Sequence, residues 1–149
     1  MTDPLSSEPG LSVFYEHPSR ALREADVRVA AARLEAGERV RLREVNVVLA
    51  GRELVHEINR TWLGHDWPTD VVSFPLDAEA QADGVIDGEV YVDLDMAAER
   101  AEEFGATPEG EALRYVVHGL LHLCGHDDAT DDERAAMRAL EDRYLASGA

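Results

Sequence analysis

The chain contains no lysine: all 14 basic residues are arginine, set against 31 aspartates and glutamates for a formal net charge of −17. Such an acidic surface repels phosphate at long range, so composition alone counts against nucleic acid as a partner and leaves such binding to local arginines and a metal ion. An acidic, lysine-free proteome would impose the same charge on any of its proteins. The expectation that follows is a salt-requiring source, with stability rising as salt screens the repulsion; a stability maximum at low ionic strength would remove it. Cysteine is almost absent too. The single Cys124 excludes an intramolecular disulfide and agrees with a reducing compartment. No apolar run approaches the roughly 18 residues of a membrane span. Residues 1–10 lack the basic and apolar regions of a signal peptide, so the expected location is the cytoplasm, with no membrane partner. What remains, 149 residues of 45% apolar content, suits one domain with one core over 1–149 and a flexible start at 1–10.

Hydrophobic periodicity divides the chain into short strands and helices. Leu11–Tyr15 reads as a strand, and a helix over roughly Arg20–Ala36 has Ala21, Leu22, Ala25, Val29, Ala32 and Leu34 as its expected buried side, with Gly37 as its stop. Val45, Val47 and Leu49 recur at period two in a second strand. The next helix carries Leu54, Val55, Ile58 and Trp62 and ends at Gly64, and Val71–Phe74 is a third strand ended by Pro75. Asp77–Gly84 reads as an acidic loop, and Val85–Val92 as a fourth strand with Gly88 as a bulge. A helix capped by Asp93 or Asp95 runs to Phe104, and Thr107-Pro108 opens another that reaches Cys124. Thr130 and Glu133 form a capping box for a last helix to about Ala146. The predicted class is α+β: a small mixed four-stranded sheet packed with about five helices.

Chemistry concentrates in His118-Gly-Leu-Leu-His122-Leu-Cys-Gly125-His126-Asp127-Asp128. Histidines four apart share a helix face and can reach one ion at roughly 2.0–2.1 Å, and Gly125 can turn the chain back towards it. The third ligand is Asp128 or His126. The spacing H-x3-H-x5-D is that of a zincin-like site, on a largely apolar, central helix. A peptidase of that class carries Glu after the first histidine as its base, and here Gly119 stands there. Cys124 follows His122 by two positions and so points away from both histidines, as a buried core thiol.

These residues resemble the YbeY endoribonucleases. His118–Asp128 is similar to that family's H-G-x-L-H-L-x-G-[YH]-D-H motif, Thr69–Pro75 to T-D-V-L-S-F-P, and Gly88–Val92 to its G-[DE]-[IV]-x-[IV] strand; with the flanking helices they cover roughly Val45–Tyr144. The resemblance implies a metal-dependent, single-strand-specific endoribonuclease of the cytoplasm. Such an enzyme acts in maturation of the 3′ end of small-subunit (16S) ribosomal RNA and in ribosome quality control, with single-stranded RNA and the ribosome or its small-subunit proteins as partners. It also implies one zinc ion held by His118, His122 and Asp128, where Asp128 replaces the third histidine of the family pattern. A carboxylate oxygen is an acceptable zinc ligand and makes the site friendlier to Mn²⁺. His126 is then a reserve or supporting residue.

A second departure is Leu63, where the family's L-N-x-x-Y-R-x-x-D has arginine; its role, engaging RNA or the reacting phosphate, passes to Arg60 or His65 or is lost. Asp70 is the candidate catalytic residue, orienting a ligand or a water, while Ser73 serves as a local hydrogen-bonding group. Arg39, Arg41 and Arg43 alternate with Val40 and Leu42 and can share one face as an RNA patch, unless Glu35, Glu38 and Glu44 neutralise them. The acidic last helix, including Glu141 and Asp142, reads as a solubilising surface or a docking face for a basic ribosomal protein. Two rivals remain: a zincin-like metallopeptidase, disfavoured by Gly119, and a metal-stabilised ribosome-binding factor whose catalysis has decayed.

Overall fold

Period-two alternation sends the side chains of each central strand to two different cores. In β2 (Arg41–Ala50), Val45, Val47 and Leu49 enter the larger cluster and Val48 and Ala50 the smaller one. In β4 (Val85–Asp93), Ile86, Val90 and Val92 face the first and Tyr91 the second. The computed structural model describes residues 10–145, so the expected flexible start falls outside the described residues apart from Gly10. The sheet is completed by β1 (Leu11–Glu16) and β3 (Val71–Pro75) in the order β1-β2-β4-β3. β1 and β4 run parallel to β2, and β3 is antiparallel to β4, with Val71 opposite Val92.

The larger core lies between one face of this sheet and α1 (Glu24–Glu38), α4 (Leu94–Phe104), α5 (Pro108–Leu123) and α6 (Asp131–Leu145), which contribute Leu34, Leu94, Val116, Leu120, Met137 and Tyr144. Each such buried side chain contributes about 1.5–3 kcal/mol. On the other face α2 (Arg52–Leu63) sets Val55 against Ala50 and Val72. The class is α+β with a mixed four-stranded sheet, as expected, and a short α3 (Ala78–Ala82) brings the helices to six among the described residues. No helix described is long and apolar enough to cross a membrane.

Several expectations need correction. The first helix starts at Glu24, not Arg20, and buries Val27, Ala30, Ala31 and Leu34, a true i, i+3, i+4, i+7 stripe; Val29 is 49% exposed. Gly37 lies inside that helix, where a Cβ would come within 2.4 Å of the Tyr144 hydroxyl, so it admits α6 rather than ending α1. The helix ends at Arg39, in the left-handed region at φ 58°. Gly88 is no bulge: it pairs in register with Val45 and Pro75, and a Cβ there would meet Leu123 and the Phe74 carbonyl at 2.7 Å. The irregularity lies at Leu42/Glu44 instead. The supposed loop Asp77–Gly84 contains α3, capped by the Asp77 side chain. Trp62 faces outward, 69% exposed.

Candidate metal centre

α5 carries the histidines because its ends are fixed locally. Thr107 accepts from the Gly110 amide with Pro108 in the first turn, and past Leu123 the chain turns through Gly125 at φ 102°. α3 supports that turn, since the Gln81 amide donates to the Leu123 carbonyl at 2.5 Å. The helix lies close on the sheet at Gly119, where a Cβ would be 2.5 Å from Val90 Cγ1. The Ser73 hydroxyl donates to the Gly119 carbonyl at 3.1 Å, tying β3 to this turn of α5. Ser73 thus has the local role expected of it.

Beyond the turn, Asp128 comes back over the histidines. His118 Nε2 is 3.0 Å from His122 Nε2 and 3.2 Å from Asp128 Oδ2, and His122 Nε2 is 3.6 Å from Asp128 Oδ1. Donors about 2.0–2.2 Å from a tetrahedral ion stand roughly 3.3–3.5 Å apart. The observed separations bracket that value, so the three donors fit one ion. His126 stands apart from this cluster: its Nε2 meets Glu38 Oε1 at 2.5 Å. The ligand loop is held by Arg134, which donates to the carbonyls of Asp128 and Ala129 at 3.3 and 3.0 Å. The capping box forms as expected, with the Glu133 amide on Thr130 Oγ1 and the Thr130 amide on Glu133 Oε1.

Glu141 makes a contact with the donor cluster that the sequence hid. It is only 5% exposed, and its Oε2 accepts from His118 Nδ1 at 2.6 Å while Oε1 accepts from Arg114 at 2.9 Å. The bond directs His118 Nε2 towards the other two donors. Burial pulls the His118 pKa down, but the Glu141 carboxylate outweighs it, with Asp70 and Asp128 adding to the rise. The ring is therefore a stronger base and a better ligand than an isolated imidazole, and protons compete with metal for it. Glu141→Gln is expected to weaken zinc affinity by about 10–100-fold, measured by competition with a chromogenic chelator. An unchanged affinity would assign Glu141 to packing alone.

Asp70 lines the two clefts that meet at His118 and Asp128. Its Oδ1 accepts from the Val71 amide at 2.8 Å, which fixes it at the entrance to β3. One cleft is bordered by Leu63, Ser73 and His122. The other is bordered by Arg100, Arg134 and Arg138, together with Tyr115. Among the described residues no carboxylate pairs with Arg100 or Arg138, and the buried Tyr115 hydroxyl has no hydrogen-bond partner. Burial raises the Tyr115 pKa, so the phenol stays a proton donor.

The family model described as Endoribonuclease YbeY matches residues 16–148. The chain belongs to the YbeY family. It is 45% identical over 140 residues to the Endoribonuclease YbeY of Salinibacter ruber, covering 91% of this chain and 89% of the relative. It is 40% identical over 126 residues to that of Chlorobium phaeovibrioides, covering 85% and 82%. It also resembles the solution structure of a Thermotoga maritima protein at 28% identity, with a TM-score of 0.58 over 90% of this chain and 88% of that one.

Compared with the YbeY pattern, the arginine missing at Leu63 is not restored by the two neighbours proposed for it. Arg60 is bound to Glu57 at 2.6 and 2.7 Å, and His65 stacks on Trp67. The free guanidinium groups beside this YbeY-family cluster come instead from α4 and α6, far away in sequence. Arg43 in the predicted patch is paired with Asp87 and Asp77, while Arg39 and Arg41 are exposed. Cys124 packs against the core rather than joining the donors, and burial pushes its thiol up to about 12, with Glu38 adding to the rise. At pH 8 about one thiol in ten thousand would be thiolate. Alkylation of the native protein by iodoacetamide is therefore expected to be slower than that of the denatured chain by orders of magnitude. Equal rates would contradict its packing against the core, where it is partly buried.

Proposed function

We propose that residues 1–149 form one metal-dependent hydrolase domain that cleaves single-stranded RNA. Its place is the cytoplasm, in maturation of the 3′ end of small-subunit ribosomal RNA and in ribosome quality control, with the ribosome or its small-subunit proteins as partners. The observation that carries the reading is the His118–His122–Asp128 donor triangle, which opens onto a cleft bordered by Arg100, Arg134 and Arg138 in a chain of the YbeY family. A zinc ion held there would supply Lewis-acid polarisation of a phosphoryl oxygen and would acidify a water; the same donors would also accept Mn²⁺.

The rest falls to the protein's own groups. His118, His122 and Asp128 hold the ion, and Glu141 orients His118. Arg100 and Arg138, lacking carboxylate partners among the described residues, offset phosphate charge locally where the overall −17 cannot. Asp70 orients a ligand or a water, and the Tyr115 hydroxyl is a donor at the cleft wall. A zincin-type peptidase carries its base at position 119, where the closeness of Val90 leaves room only for glycine, so a peptidase would have to use another carboxylate such as Asp70.

The test uses protein stripped with a chelator and reloaded with zinc, incubated with single-stranded RNA and, separately, with an unfolded polypeptide. RNA cleavage that disappears on stripping and returns on reloading is the expected result. Cleavage of the polypeptide would establish the peptidase, and no cleavage of either, with ribosome binding retained, would establish the decayed binding factor.

A further inference from the structure

Both tryptophans of the chain, Trp62 and Trp67, are exposed, at 69% and 55%, although tryptophan is normally largely buried. They flank the end of α2 and the turn that leads to β3. Leu63, next to Trp62, is 44% exposed and borders the same cleft as His118, His122, Asp70 and Asp128. Through Leu63 the segment reaches the edge of the cleft that holds the donor cluster.

The turn is built rather than loose. Asn59, buried at 2% exposure, donates its side-chain amide to the Trp67 carbonyl at 2.9 Å. The Gly64 amide bonds the Arg60 carbonyl, the His65 amide bonds the Asn59 carbonyl, and the His56 ring meets Asp66 at 2.9 Å. On this frame His65 lies parallel to Trp67, with ring centres 4.6 Å apart and planes 9° apart. A buried polar residue thus fixes the backbone of an exposed aromatic whose face already accepts a stacked planar ring.

We propose that segment 62–67 is a base-stacking platform that receives nucleobases of single-stranded RNA flanking the scissile phosphate. The proposal rests on the endoribonuclease reading and deepens it by naming a subsite. Its logic is electrostatic: a chain of net charge −17 repels a polyanion at long range and has few unpaired arginines at the cleft, so contacts that carry no charge have to add to theirs. Stacking of bases on aromatic rings is such a contact and tolerates any sequence. Arg100 and Arg138 lie along the cleft that shares Asp70, His118 and Asp128 with the cleft bordered by Leu63, so phosphate and base contacts fall on different walls around one metal centre.

The two tryptophans make the protein its own probe. In the full chain carrying His118→Ala, which blocks cleavage, titration with an oligouridylate should quench tryptophan fluorescence, and an abasic oligoribonucleotide of equal length should quench it far less. Trp62→Ala and Trp67→Ala in that background should each weaken RNA binding by about tenfold or more, whereas phenylalanine at either position should restore most of it. Both side chains are exposed, so melting temperatures should stay close to the parent value, and a parent-like melt makes the affinity change interpretable. Equal affinity of the double alanine variant, or of the abasic strand, overturns the platform. Protection of the tryptophans by a second copy of the chain, with RNA affinity unchanged, overturns it as well. If the unmutated protein neither binds nor cleaves RNA, the endoribonuclease reading falls together with it.

Discussion

His118→Ala is expected to abolish both metal retention and RNA cleavage, the largest functional loss available from a single substitution here. Removing the ring leaves two donors, His122 and Asp128, 3.6 Å apart, where zinc sites have at least three. The loss of affinity should exceed the roughly 10–100-fold caused by removing a group that only orients a ligand. After dialysis against a chelator, zinc per chain should fall from about one to near zero, and cleavage of single-stranded RNA should fall to background. Folding should survive, because the buried Glu141 carboxylate keeps its bond to Arg114 at 2.9 Å. Asp128→Ala should behave in the same way, and His126→Ala should keep its metal, since His126 is turned towards Glu38. Full metal content in the Asp128 variant would defeat the ligand assignment.

The largest structural loss is expected at Gly119. A methyl group there would stand 2.5 Å from Val90 Cγ1 and 3.1 Å from Val71 Cγ2 and Ser73 Oγ, and Val90 is wholly buried in β4. Gly119→Ala should therefore cost about 1–3 kcal/mol of overpacking, or roughly 2–12 °C of melting temperature in a chain of this size. Gly119→Glu, which would supply the peptidase base, adds a long side chain and an unpaired charge at a buried position. Its cost of several further kcal/mol approaches the whole stability of an ordinary domain, about 5–15 kcal/mol. The variant should be unfolded or insoluble, as judged by circular dichroism and thermal melting. A soluble Gly119→Glu protein with a wild-type melt would show that α5 can lift from the sheet.

These two positions mark what could and could not be read from the sequence. The paired histidines were legible because a helix converts spacing directly into a shared face. So were the ends at Gly64 and Gly105, the Thr107 cap and the Thr130–Glu133 box, all of which depend on residues within a turn of one another. Gly37, Gly88 and Gly119 were not: each is glycine because an element distant in the chain approaches it, and nothing local records the approach. Glu141 was concealed in the same way. Among the acidic residues of α6 it looks like one more solvated carboxylate, yet helix packing places it on a histidine 23 positions earlier. Val29 reads as a core residue because the alanines around it allow more than one apolar stripe, and only the sheet decides between them. Nor does the sequence record Glu38, which the turn after α5 brings to His126, leaving Asp128 beside the two histidines.

The bond from Glu141 to His118 also sets an order of events in time. Synthesis delivers both histidines and Asp128 before α6 exists, but the group that aims His118 and the arginine that pins the Asp128 carbonyl both belong to α6. A chain that has reached Asp128 but not α6 therefore carries the three donors without the groups that hold them in place. Docking of α6 therefore completes the frame around the donor cluster, and whatever loosens α6 also loosens the aim of His118.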